Sequence, residues 1–106
     1  MFKVVRRTET TVRRIADNKT AANYITKDIS KNVSLATTEA TNYYEKEAAD
    51  YNRIYYVLEG NLILVFNTEE VALNVSDVCY VEKGTKYEMK GTFKAIIVNQ
   101  PAFGTQ

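Results

Sequence analysis

"YNRIYYVLEGNLILVF" (residues 51–66) decides the fold of this chain. It reads as two apolar strands, "RIYYVL" and "NLILVF", joined at Glu59-Gly60. β-branched and aromatic residues dominate both halves, and such residues favour a pleated, packed surface over a helix. In the second half Leu62, Leu64 and Phe66 alternate with Ile63 and Val65, so both faces are apolar. A central strand between two packed layers requires that pattern.

Outward from this stretch the same character recurs. "FKVV", "VSLATTEAT", "EVALN", "DVCYV", "TKYEMK" and "FKAIIV" are short segments rich in Val, Ile, Thr, Tyr and Phe, separated by polar or glycine-containing breaks. "NTEE", Ser76-Asp77 and Lys83-Gly84-Thr85 read as corners. The spacing allows a helix only around "IADNKTAAN" or "EKEAAD", both short and weakly periodic. The expectation is an all-β sandwich or small barrel, a single domain over residues 1–106, with Leu62, Leu64, Val78 and Ile96 in its core.

Composition excludes several function classes. With 45% hydrophobic residues, 25% charged residues and a formal net charge of +1, the chain generates no strong field to steer nucleic acid or an anionic membrane. No apolar run approaches the roughly 20 residues that cross a bilayer, and no signal-peptide pattern opens the sequence, which predicts a cytoplasmic protein. The single Cys79 rules out an internal disulfide and reads as a small buried hydrophobe within "DVCYV". Arg6-Arg7 and Arg13-Arg14 lie in strand-like segments where half the side chains face solvent, so they are not read as a phosphate site. Glu45, Glu47 and Asp50 match no metal-binding loop and read as a solvated acidic surface.

The order of pieces in the second half is more specific. "IYYVLEGNLIL" ends as an aromatic-rich strand running through a glycine-centred turn into a second strand. "DVCYVEKGTKYEM" opens a strand with Asp-Val, turns a tight glycine corner and places a polar residue three positions after that glycine. "AIIVNQPAF" supplies a closing strand and tail. Across residues 33–100 the chain resembles a small single-domain cupin, a double-stranded β-helix or jelly-roll barrel, nearest to the barrel of ethanolamine utilisation protein Q.

The resemblance maps the family's functional positions onto this sequence. With Gly60 as the motif glycine, the family's acidic ligand falls on Arg53, and its first two histidines fall on Glu47 and Ala49, or on Lys46 and Ala48. The histidine of the second motif falls on Tyr87, and the chain has no histidine at all. A permanently cationic arginine at a ligand position repels a divalent ion, so no metal site and no cofactor are expected. By period two, Arg53, Tyr55 and Val57 point into the barrel; Tyr87 and Met89 enter from another strand, and Tyr80 is expected to line the same space.

These residues predict a metal-free pocket in which Glu47, Arg53, Tyr55, Tyr80 and Tyr87 hold a small polar or anionic molecule without turnover. Two alternatives stand beside it. One is a metal-independent isomerase, epimerase-like enzyme or lyase using Tyr55 or Tyr87 with Arg53; the other is a structural interaction module. No catalytic residue is assigned. The resemblance also implies a homodimer, formed through an edge strand or the N-terminal segment.

Overall fold

In the computed structural model, which describes residues 1–105, the chain forms seven strands. They are β1 (Thr11–Ala16), β2 (Lys19–Ile25), β3 (Ser34–Ala48), β4 (Asn52–Phe66), β5 (Glu69–Leu73), β6 (Val78–Val81) and β7 (Lys86–Gln100). All pair antiparallel in the order β1-β2-β3-β7-β4-β5, with β6 on β4. β7 lies between β3 and β4, paired with both from Glu88 to Asn99 around the bends. On the other edge of β4, β6 covers the first half and β5 the second.

The three long strands bend at one level. β3 bulges between Ala40 and Tyr43, with Asn42 at φ 47°; β4 bulges between Val57 and Glu59 beside Gly60 at φ 73°. Gly91 of β7, opposite Leu62, is the third bend. A Cβ on Gly60 would lie 2.1 Å from the Thr92 carbonyl oxygen, and one on Gly91 would lie 2.4 Å from that of Asn61. Only glycine lets the two backbones approach this closely. Glu59-Gly60 is therefore a bend inside one continuous strand and not the turn between two that the sequence suggests, because both halves keep pairing with β7 across it. "TKYEMK" and "FKAIIV" are likewise one strand bent at Gly91.

Other expectations are corrected by the same pairing. "IADNKTAAN" forms the β1–β2 hairpin and "EKEA" ends β3, so neither is helical: strand partners override the weak helical pattern. "FKVV" pairs with nothing among the described residues and leaves Phe2 and Val4 exposed. Tyr55, Val57, Leu62, Leu64, Val81, Tyr87, Met89, Phe93 and Ala95 form the core. Leu62 and Leu64 belong to it as expected, but Val78 is 58% exposed and Ile96 is only partly buried. Val78 and Ile96 both pair with Tyr56, in a row that points outward; the period of two sends Val81 and Ala95 inward instead. Ile63 and Val65 are partly buried on the outer face of β4.

Candidate functional site

The inward row of β4 carries Arg53, Tyr55 and Val57, all buried, and β7 brings Tyr87 and Met89 to the same interior. Arg53 is the centre of a polar cluster. Its Nε donates to Asn99 Oδ1 at 2.7 Å, and its Nη1 donates to the hydroxyls of Tyr87 at 3.0 Å and Tyr55 at 3.5 Å. Those hydroxyls are 2.5 Å apart. One phenol proton bridges them, so the other has no acceptor within this trio. Glu47, on the inward row of β3, places Oε2 3.6 Å from Arg53 Nη1, close enough for attraction but too far for a hydrogen bond.

Burial sets the charge states. It works against the Arg53 charge, but Tyr55 and Tyr87 outweigh it and hold the guanidinium pKa above its ordinary value. Burial pushes Tyr55 well above the usual phenol range and raises Tyr87 too, so both stay neutral near pH 7. Glu47 is raised above the usual carboxylate range by burial, with the Arg53 charge opposing.

A second polar group, from β2 and β3, stands beside it. Lys19, 6% exposed, points Nζ at Glu45 Oε1 (3.2 Å) and over the Tyr43 ring (4.7 Å to its centroid), while the Tyr43 hydroxyl donates to the same Glu45 oxygen at 2.9 Å. Burial and that bond push the Tyr43 phenol up to about 12. Glu45 and Glu47 thus face inward and are not the solvated acidic surface the sequence suggested. Tyr43, Glu45 and Glu47 alternate with Tyr44, Lys46 and Ala48, and that period of two was the available signal. Lys19 and Asn99 carried none, because each is brought in by strand pairing from a distant part of the chain.

Both groups border a cavity of about 590 Å³. Lys19, Glu45, Glu47, Arg53, Tyr55 and Asn99 supply polar wall; Ala21, Leu35, Met89 and Ile97 supply apolar wall. Arg13, Arg14, Lys27 and Asp28 also border it, with Phe103 of the C-terminal tail under the Arg13 guanidinium. Of the five residues named from sequence, Glu47, Arg53 and Tyr55 line this space. Tyr87 stands behind them, stacked on Phe66, and opens with Glu47 onto a shallower recess of about 430 Å³. Tyr80 is corrected: it is 59% exposed on the outer face of β6, because Cys79 and Val81 take that strand's inward positions.

Residues 3–103 match the family of ethanolamine utilisation protein EutQ. The chain belongs to that family. Solved structures agree on the fold. EutQ of Clostridium difficile superposes with a TM-score of 0.75 at 20% identity, covering 80% of this chain and 64% of that protein. This EutQ-family chain therefore spans less than two thirds of that protein's length. An RmlC-like cupin from Shewanella frigidimarina gives 0.79 at 14% identity over 92% of this chain and 88% of its own. Streptomyces PAC13 with uridine gives 0.81 at 17% identity over 100% and 88%. Among curated proteins no sequence matches.

The positions that the resemblance gives to a cupin's metal ligands are Arg53, Tyr87 and either Glu47 with Ala49 or Lys46 with Ala48, and these residues do not fit a transition ion. A guanidinium presents N–H groups and a permanent positive charge where a lone pair is needed, and the neutral Tyr87 phenol is already hydrogen-bonded to it. Among the described residues no other group of His, Cys, Asp and Glu side chains is arranged to hold an ion.

Proposed function

We propose that this EutQ-family barrel binds a small polar or anionic molecule in the Arg53 cavity, without a metal and without turning it over. The observation that carries this reading is a buried, permanently charged guanidinium on a cavity wall whose hydrogen bonds, among the described residues, use only Nε and Nη1. Arginine has five N–H donors, and the two on Nη2 are left for a ligand oxygen. The lining favours an anion: Arg13, Arg14, Lys19, Lys27 and Arg53 outnumber Asp28, Glu45 and Glu47. A binding role is favoured over tyrosine-based proton abstraction because burial holds Tyr55 and Tyr87 in their neutral forms.

A calorimetric screen of small carboxylates and phosphates against the wild-type chain and Arg53→Met tests this reading. At least one anion should bind the wild type, and the variant should lose roughly 1.5–3 kcal/mol of its affinity, as for a hydrogen bond to a charged group. If no anion binds, or if binding ignores the substitution, Arg53 is not a ligand-holding residue.

A further inference from the structure

The Arg53 cavity wall carries more than an anion hook. Glu47 lines the same cavity beside Arg53, and among the described residues its carboxyl accepts no side-chain hydrogen bond. Its neighbour on the same face of β3 is different: Glu45 is already engaged by Lys19 and Tyr43. Lys19 and Tyr43 share one Glu45 oxygen, Oε1, whereas Glu47 takes only a backbone hydrogen bond from Ala48, so Glu47, the carboxyl nearer Arg53, keeps the greater acceptor capacity. The cavity thus offers two N–H donors at Arg53 Nη2 and an acceptor beside them, the two charged groups being 3.6 Å apart.

That short separation selects the ligand. A carboxylate placed on Nη2 brings the groups on its first carbons close to Glu47. An alkyl group there would strip water from the Glu47 carboxyl and return nothing, whereas a hydroxyl donates to it. The remaining polar wall has the same character, with Asn23, Thr38 and Asn99 around a space of about 590 Å³, larger than a two-carbon acid needs. From this geometry we infer that the pocket takes a polyhydroxylated carboxylic acid, its carboxylate on Arg53 and an adjacent hydroxyl donating to Glu47. The inference rests on the anion-binding reading of Arg53 and adds the second contact.

Hexanoate, gluconate and galactonate test it by calorimetry, since all three carry one carboxylate on a six-carbon chain and only the latter two carry hydroxyls. At least one aldonate should bind the wild type about ten-fold or more tighter than hexanoate, the ratio expected for one added bond to a charged group. Loss of the Glu47 charge in Glu47→Gln should raise the affinity of all three acids alike, but the aldonate-over-hexanoate ratio should fall several-fold, because an amide is the weaker acceptor for the hydroxyl. Arg53→Lys, which keeps the charge but loses the fork, should weaken all three acids; melting curves identify folded variants. Binding of hexanoate as tight as that of both aldonates, with loss in Arg53→Lys, overturns the hydroxy-acid inference and leaves the anion site standing. An aldonate preference that survives Glu47→Gln unchanged overturns the Glu47 contact. Failure of all three acids to bind overturns the inference, and failure of the wider anion screen overturns the reading beneath it.

Discussion

Arg53 holds the interior together as well as facing the cavity, and the two roles have different energetic signatures. It satisfies the buried Asn99 Oδ1 and both inward phenols, so Arg53→Met should cost about 1–3 kcal/mol of stability for the stranded acceptor. The larger cost of about 3–5 kcal/mol for breaking a buried ion pair should not be reached, because the Glu47 side chain is 25% exposed and stays solvated when its partner goes. Chemical denaturation checks the value, and a loss above that range would mean that Glu47 depends on Arg53. Glu47 makes a separate prediction. Its native pKa is raised, so in the window above the unfolded carboxylate value of about 4.3 the folded state holds more protons than the unfolded chain. Stability contributed by this group then falls as pH rises through that window. Relative to wild type, Glu47→Gln should gain thermal stability from about pH 4 to pH 7; a variant that loses ground over that range would show that attraction to Arg53 outweighs burial. Period two on β4 made Arg53 and Tyr55 legible as inward residues, whereas Glu47, on β3, was marked by the family's spacing while its acidic neighbours suggested a solvated surface. The sequence hid Lys19 and Asn99, whose positions depend on pairing across the sheet.

At the scale of elements, the strands were legible as segments and misread as separate pieces. A glycine between two apolar runs signals both a hairpin turn and a bend, and local sequence does not distinguish them. What decides is whether a third strand pairs across the glycine, and β7 does so at both Gly60 and its own Gly91. Substitution separates the two kinds of glycine in this chain. At Gly60 an alanine meets a positive φ and a carbonyl oxygen 2.1 Å from its Cβ, so the β4–β7 contact must open. At Gly84, the corner between β6 and β7, φ is +95° but nothing lies within 4 Å. Gly84→Ala should cost only the backbone strain, about 1–2 kcal/mol, and Gly60→Ala clearly more. Equal thermal midpoints for the two variants would show that the bend is not held by close backbone approach. Val78, Ile96 and Tyr80 were misplaced for a related reason: "DVCYV" and "FKAIIV" are apolar at successive positions, so hydrophobicity alone does not say which row faces in.

For the whole molecule, the absence of histidine is the sequence fact on which the expectation of a metal-free pocket rests. Elemental analysis of the purified chain should find far less than one equivalent of iron, manganese, nickel or zinc; a stoichiometric ion would overturn the assignment of Arg53 to the cavity wall. Apolar patterning on the outside makes the remaining prediction. Ile54, Tyr56, Val78 and Tyr80 are each at least 38% exposed, and the register sets Ile54 beside Tyr80 and Tyr56 beside Val78. Val98 and Ile96 of β7 continue the patch on the other side of β4. Monomers rarely leave a contiguous apolar sheet face of this kind to water. We propose that a second copy covers it: the sequence resemblance implies a homodimer through an edge strand or the N-terminal segment, and this face, which includes β6, paired among the described residues with β4 alone, lies opposite the inward face that borders the Arg53 cavity. Sedimentation equilibrium should then give twice the 12.1 kDa chain mass. Tyr80→Lys should shift the mass toward the monomer while the fold survives, since Tyr80 is 59% exposed and contributes little to the core. A wild-type chain that sediments as a monomer at high micromolar concentration would refute the dimer, and a Tyr80→Lys dimer of unchanged strength would place the contact elsewhere.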